Sequence, residues 1–149
     1  MASELEGVAE LSAKLRALAD PKQQAMTLRA AVRTPMKKVE KRARANIARI
    51  SPGKAEMHRT YKGRLVSAGF ASRSLRTIVK MSRDKQSASA LLGVRREAFY
   101  ALQFFELGTA YIPKQPWLVP TFEGMKDQSL REIGIVMRKR IEKIAKQRR

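Results

Sequence analysis

The residues that most often carry chemistry in proteins are few in this sequence, and they stand far apart. His58 is the sole histidine, the chain has no cysteine, and no pair of acidic residues accompanies His58 at metal-ligand spacing. Residues 51–54, Ser-Pro-Gly-Lys, lack the preceding strand and the spaced glycines of a phosphate-binding loop. We therefore predict no metal site, no cofactor and no thiol nucleophile.

Paired carboxylates are the remaining route to catalysis, because two of them can act as acid and base on a glycosidic bond. The acidic candidates are Glu97, Glu106, Glu123 and Asp127, and nothing in the sequence brings two of them together. A helix surface is the more ordinary place for such charges. A small hydrolase would also need a nucleophile and a base, and the sequence offers no such pair. We predict that the chain is not an enzyme.

Positive charge is the strongest signal in the composition. The 149 residues include 32 Lys plus Arg against 13 Asp plus Glu, which gives a formal net charge of +19. Basic residues crowd one face of the predicted second helix and the last turns of the chain, residues 138–149. Such faces can neutralise phosphates, but no aromatic residue is interleaved with them to stack on bases. Two interpretations stay open: an accessory protein that binds nucleic acid, and a solvated basic surface.

Apolar spacing of three and four residues predicts two helices in the first third of the chain. The first spans residues 3–19, with Ser3 and Glu6 placed as a capping box. Asp20-Pro21 then ends it and caps a second helix that continues to residue 50, with Gln23 at the matching position of another capping box. Pro35 lies inside this stripe, so we expect a kink or a break near residues 33–34.

The middle and the end of the chain predict shorter elements. Residues 51–63 should form an exposed, flexible loop, and residues 64–73 a short helix or irregular turn. One strand is expected from residue 75 to about residue 82 and a second over residues 88–94. A turn at residues 83–86 would join them as a hairpin. A short buried helix over residues 99–107 should end at Gly108, and a helix from Pro120 or Thr121 should close the chain.

These elements predict an α+β fold in which long N-terminal helices and a C-terminal helix pack on a small antiparallel β-sheet. Length favours a single domain over residues 1–149, with an N-terminal helix at 1–20 and a basic tail at 138–149. We expect no membrane span and no signal peptide, because no apolar run is long enough. The lack of cysteine favours a reducing compartment such as the cytoplasm.

Aromatic residues and prolines concentrate in residues 99–122. Pro113, Pro116 and Pro120 forbid regular structure there and hold Trp117 on a stiff, extended segment. The ordinary interpretation is that Trp117 and the phenylalanines at 99, 104 and 105 close the core. The alternative is a preformed surface on which another subunit docks at low entropic cost.

Two runs in this segment resemble a known family. Phe104-Phe105-Glu106-Leu107-Gly108-Thr109, followed by residues 112–122, Ile-Pro-Lys-Gln-Pro-Trp-Leu-Val-Pro-Thr-Phe, is similar to a signature of long-tailed bacteriophages. That family contains tail-completion and head-tail joining proteins of the virion neck. Pro35-Met36 in a basic helix, residues 51–53 and Gly63-Arg64-Leu65 resemble further parts of the family, although Lys62-Gly63 stands where a Thr-Gly is usual. The resemblance covers about residues 28–145.

The resemblance implies a structural α+β protein that forms a ring, of six subunits in the family, between the head connector and the tail. The implied partners are other copies of the chain, the head connector or head-closure protein, the tail terminator or tail tube protein, and packaged DNA in the lumen. The implied location is the virion neck, after assembly in the bacterial cytoplasm.

Under this interpretation two groups of residues make contacts. The subunit or partner interface would include Phe105, Glu106, Gly108, Thr109, Pro113, Gln115, Pro116, Trp117 and Pro120. A second patch would lie on the face of the terminal helix. DNA or acidic partners would meet Lys37, Lys41, Arg44, Arg138 and Arg140. Trp117→Ala and Glu106→Ala are expected to leave the protein folded while blocking the joining of heads to tails.

Overall fold

Two long helices and a small antiparallel hairpin form most of the structure, a computed structural model that describes residues 2–17, 20–50, 58–60 and 62–147. The predicted α+β class is confirmed. No helix in these ranges is both long and apolar enough to cross a membrane. The elements are α1 (Ala2–Ala17), α2 (Pro21–Ile50), β1 (His58–Arg59), β2 (Leu65–Val66), α3 (Phe70–Arg73), β3 (Leu75–Met81), β4 (Ala88–Val94), α4 (Arg96–Leu107) and α5 (Val119–Gln147).

Asp20 starts helix α2 as predicted. Its carboxylate accepts a hydrogen bond from the Lys22 amide at 2.9 Å, and its carbonyl accepts the first helical bond from the Gln24 amide at 3.1 Å. The bond from Lys22 satisfies an amide that the first turn of a helix leaves without a partner. The predicted capping box is wrong in its second half, because Gln23 Oε1 is buried and makes no hydrogen bond.

Pro35 does not break helix α2. The helix is continuous from Pro21 to Ile50, so the break is wrong, and the kink that was its alternative stays a prediction. The Thr34 hydroxyl donates to the Ala30 carbonyl at 3.0 Å, one turn back. Ala31 and Val39, one turn to either side of the proline, are buried. Their packing holds both halves of the helix in place and offsets the single amide bond that proline cannot make.

Helix α1 differs from its prediction at its start. The helix is described from Ala2, so Ser3 lies within the helix and not before it as a cap. The helix is described as far as Ala17, and the predicted end at residue 19 falls outside the described residues.

The strands β3 and β4 form the predicted hairpin. Its turn is closed by a hydrogen bond that the Ser82 amide donates to the Ser87 carbonyl at 3.0 Å. Within the turn, the Asp84 carboxylate accepts a hydrogen bond from the Gln86 amide at 3.0 Å. The predicted loop at 51–63 is wrong in part: His58 pairs with Val66 and Arg59 with Leu65 in a second small antiparallel sheet. The remainder of that loop, residues 51–57 and 61, lies outside the described residues.

The chain divides into two compact units, and helices α2 and α5 contribute to both. Unit 1 comprises residues 1–38, 77–91 and 125–149. Its core is formed by Leu11 and Leu15 of α1, Ala31 of α2 and Met137 of α5. This core is wholly aliphatic apart from the thioether of Met137. The single domain that length favours stays a prediction.

Unit 2 comprises residues 39–76 and 92–124. Its buried core joins three elements and the segment before α5, through Ala43, Ile47, Leu75, Ala98, Leu102 and Trp117. Helix α4 begins at Arg96, three residues before the predicted start, and ends at Leu107 as predicted. The prediction that this helix is buried is wrong in part, because only Ala98 and Leu102 are buried on it.

We predict that Leu102→Ala lowers the free energy of unfolding by about 2–5 kcal/mol, because it leaves a cavity in the core of unit 2. Leu107→Ala on the same helix is the matched control. Leu102 is 2% exposed and Leu107 is 64% exposed, so the control should change stability by less than about 0.5 kcal/mol. Urea denaturation followed by circular dichroism measures both. Equal losses in the two variants would contradict the packing described here.

Candidate functional site

Glu106 joins the end of helix α4 to the start of helix α5. Its carboxylate accepts three backbone hydrogen bonds, from Trp117 at 2.6 Å, Leu118 at 2.8 Å and Val119 at 3.0 Å. The first helical bond of α5 runs from the Phe122 amide to the Leu118 carbonyl, so these three amides lie at the helix N-terminus and have no helical partner. Glu106 therefore caps a helix that begins thirteen residues later in the chain.

The environment of Glu106 favours the charged carboxylate. Burial alone would raise the pKa of Glu106, but the hydrogen bonds from the Leu118, Val119 and Trp117 amides outweigh it, and the pKa lies below its ordinary value of 4.5. Lys114 lowers the pKa further through its charge. The partial positive charge at the N-terminus of α5 acts in the same direction.

Further hydrogen bonds fix the segment between the two helices, residues 108–118. The indole nitrogen of Trp117 donates to the Leu102 carbonyl at 2.9 Å, and the Gln115 amide donates to the Phe105 carbonyl at 2.8 Å. Thr121 donates its hydroxyl to the Trp117 carbonyl and accepts from the Asn46 side chain at 2.8 Å. The extended segment is therefore held along its length against α4 and the start of α5.

Gly108 allows the turn that begins this segment. Its φ is +78°, a value that side-chain-bearing residues rarely adopt. A Cβ at this position would lie 3.1 Å from the backbone nitrogen of Lys114, so the returning chain passes too close for a side chain. The Thr109 hydroxyl then accepts hydrogen bonds from the amides of Tyr111 and Ile112, at 3.2 and 3.0 Å. Gly108 ends helix α4, as predicted.

The predicted interface residues separate into three groups in the structure. Those exposed to solvent are Thr109, Pro113, Gln115, Pro116 and Pro120, and those half-buried are Phe105, Glu106 and Gly108. Trp117 is only 4% exposed and belongs to the core of unit 2. Its burial argues against the expectation that Trp117→Ala leaves the fold intact, since removing a buried indole costs about 3–5 kcal/mol.

An apolar surface that the sequence interpretation missed lies on the outside of helix α4. We define the α4 face as Phe99, Tyr100, Phe104 and Leu107, whose side chains are 49%, 47%, 42% and 64% exposed. Phe99 and Tyr100 contact each other edge to face, with ring centroids 5.9 Å apart. Tyr111, on the turn that follows, is 96% exposed. Surfaces of this kind commonly mark contacts with other molecules.

The spacing of residues on α4 contains the signal that could have revealed this face. Tyr100, Phe104 and Leu107 follow each other at intervals of four and three, and so do Ala98, Leu102 and Phe105. These two stripes lie on different sides of one helix. Only one side of the helix can meet the core of a small unit. The density of aromatic residues therefore predicted burial on a helix where three of the four are exposed.

Charges near the α4 face are positive. Arg95 and Arg96 are exposed at the start of the helix, and Lys114 is exposed on the segment after it. The two acidic residues of the helix are engaged elsewhere. Glu97 lies 3.6 Å from Arg64, and Glu106 accepts the three amides.

The predicted basic contacts have different environments. Lys37, Lys41, Arg138 and Arg140 are exposed. Arg44 is engaged within unit 2, where it donates to the Glu40 carboxylate at 2.7 Å and to the Leu75 carbonyl at 2.6 Å. Arg44 therefore links helix α2 to strand β3 and is the least suited of the five to meet an external anion.

The residues considered for catalysis lie apart in this structure. His58 belongs to strand β1, Glu97 faces Arg64, and Glu106 caps α5. Within the described ranges, no group of three or more His, Asp or Glu residues is placed to hold a metal ion. No family model, curated protein or solved structure matches this chain.

We predict that Glu106→Gln lowers the free energy of unfolding by about 0.5–2 kcal/mol, the usual range for loss of a helix cap. The amide retains one acceptor oxygen but loses the charge that three N–H groups share. Glu123→Gln is the control, because Glu123 is an exposed acid near the same helix terminus. Urea denaturation at pH 7 should separate the two variants, and equal stabilities would show that the charge of Glu106 contributes nothing to the cap.

The lowered pKa of Glu106 also predicts that the stability lost in Glu106→Gln depends on pH. Because folding lowers the pKa of Glu106 below its ordinary value of 4.5, its contribution is complete above that value and is lost as the pH falls through the folded pKa. The stability difference between wild type and Glu106→Gln should be constant from pH 7 to about pH 5.5 and shrink below about pH 4.5. A difference that grows on acidification would have the opposite sign and contradict the assignment.

Proposed function

We propose that this chain is a structural protein of the neck of a tailed bacteriophage, which joins the head connector to the tail as a subunit of a ring. The proposal combines the resemblance of residues 104–122 to neck proteins with one observation. This observation is an exposed apolar face on a helix whose other side and end are firmly fixed. In this role the protein acts by docking and catalyses no reaction.

The fixed position of α4 supports a docking role. Ala98 and Leu102 anchor the helix in the core of unit 2, and the carboxylate of Glu106 holds its end to the start of α5. A surface ordered before it meets its partner loses little conformational entropy on binding. Aromatic side chains add large contact areas with few rotatable bonds, which is why they dominate the energetics of many interfaces.

Charge favours one occupant for the α4 face, the acidic surface of a neighbouring neck protein. The face is bordered by Arg95, Arg96 and Lys114, and both acidic residues of the helix are engaged within unit 2. A second copy docked through the same face would bring its own Arg95, Arg96 and Lys114 against these three cations, which opposes close approach of like surfaces. The head connector side and the tail side each supply a neighbouring ring in the proposed location.

Contacts between copies in the ring would then use other surfaces. The exposed residues of the segment before α5, Thr109, Pro113, Gln115 and Pro116, are suited to this because their backbone is already fixed. In a closed ring each subunit offers two different patches, one to each neighbour. The protein would be assembled in the bacterial cytoplasm and retained in the virion.

We predict that the double variant Phe104→Ser/Leu107→Ser folds normally but lowers the yield of joined particles about tenfold or more, since two central apolar contacts are lost. The experiment deletes the gene from its phage, supplies each variant in trans, and counts joined particles by electron microscopy alongside infectious titre. Ile135→Ser, which removes a half-exposed apolar side chain from α5, is the matched control and should behave as wild type.

The possible outcomes test the α4 face and the neck role separately. Filled heads and free tails in the deletion, rescued by Ile135→Ser but not by the double variant, would support both. Full rescue by the double variant would reject the α4 face while retaining the neck role. Normal virions from the deletion itself would reject the neck role and favour the alternative, an accessory protein that binds nucleic acid.

A further inference from the structure

The last turns of helix α5 carry a basic surface that the docking role does not use. We define the α5 basic face as Lys139, Arg140, Lys143 and Lys146, all exposed and all in unit 1. Their spacing places them within about a third of the helix circumference, given 3.6 residues per turn. The buried residues Met137 and Ile144 lie beyond Arg140 on one flank of this face and pack in the core.

These four cations keep their charge available to an external ligand. The structure shows ion pairs for Lys14 with Glu10 and for Lys38 with Glu132, but none for the four residues of the α5 basic face within the described part of the chain. Arg138, which precedes them, lies close enough to Glu10 to lower the pKa of that carboxyl, after the larger effect of Lys14. Glu142 is the one acid among residues 138–146. It is one helical turn from Lys139 and from Lys146, but within the described residues no ion pair joins it to either lysine.

We propose that the α5 basic face binds the phosphate backbone of double-stranded DNA without reading its sequence. Lys139 to Lys146 spans about 10 Å at the helical rise of 1.5 Å per residue. Duplex DNA carries a charge about every 1.7 Å of its axis, so several phosphates lie within reach of a face this long. The binding energy comes from the release of counterions when lysine and arginine neutralise those phosphates.

The composition of the face distinguishes duplex DNA from other polyanions. A protein interface usually has an apolar centre, and none of the four residues supplies one. Single strands are held by aromatic rings that stack on bases, and unit 1 contains no aromatic residue. Three of the four residues are lysine, which acts as a point charge and lacks the forked geometry with which arginine reads guanine.

The test measures binding of the full chain to a fluorescent 30-base-pair duplex of mixed sequence by anisotropy, over a series of salt concentrations. The variant is Lys139→Glu/Lys143→Glu/Lys146→Glu. The matched control is Lys80→Glu/Arg83→Glu/Lys85→Glu, which removes three exposed cations from the hairpin and changes the net charge equally. Urea denaturation first establishes that both variants are folded.

The α5 variant should bind about 30-fold or more weakly at 100 mM salt, and the magnitude of its slope of log K against log salt should fall by about 3, since each phosphate contact contributes about 0.9. The control should lose no more than a few-fold in affinity. A single strand of equal length should bind more weakly than the duplex, and poly-L-glutamate should compete poorly.

Other results would overturn the proposal. Equal losses in the two variants would mean that net charge alone, and not this face, attracts DNA. Tighter binding of the single strand, or full displacement of the duplex by poly-L-glutamate at equal charge concentration, would assign the face to a different polyanion. None of these results bears on the α4 face, which the experiment leaves unaltered.

Discussion

The carboxylate of Glu106 is the interaction on which the candidate site depends. A negative charge in the last turn of α4 stands at the unfavourable end of that helix dipole. The same charge lies at the favourable end of α5, where it accepts three amides that would otherwise lack partners. One side chain therefore couples the end of α4 to the start of α5. The segment between them, residues 108–118, has to turn back so that its two ends meet at Glu106.

This coupling explains why prolines suit the segment. Pro113 and Pro116 have no amide hydrogen to leave unsatisfied, and Pro120 falls in the first turn of α5, where an amide would have no helical partner. Trp117 then packs in the core of unit 2 beside α4, and its indole N–H donates a hydrogen bond to the Leu102 carbonyl. Rigidity in this part of the molecule comes from hydrogen bonds and a buried indole, since the segment has no regular secondary structure of its own.

Local signals in the sequence predicted the elements they govern directly. Asp20-Pro21 starts α2, and β-branched residues form strand β3 as expected. Interactions distant in sequence were not predictable. Two-residue strands such as His58–Arg59 have no periodicity to detect, and the effect of Pro35 depends on how firmly its neighbours pack. Trp117 lies in the core, as the ordinary interpretation of the sequence had it. The bond from its amide to Glu106 joins residues eleven apart, a distance at which no spacing rule applies. The exposed side of α4 was hidden by its high density of aromatic residues.

The division into two units has a spectroscopic consequence. Every phenylalanine, tyrosine and tryptophan of the chain falls within residues 39–76 and 92–124, so unit 2 holds all the aromatic chromophores and unit 1 holds none. Fluorescence of the sole tryptophan, buried beside Leu102, and near-ultraviolet dichroism therefore report on unit 2 alone. Unit 1, with its aliphatic core, is silent in both signals and contributes only to the far-ultraviolet dichroism of its helices. A comparison of these signals during unfolding reads the cooperativity of the two units without any added label.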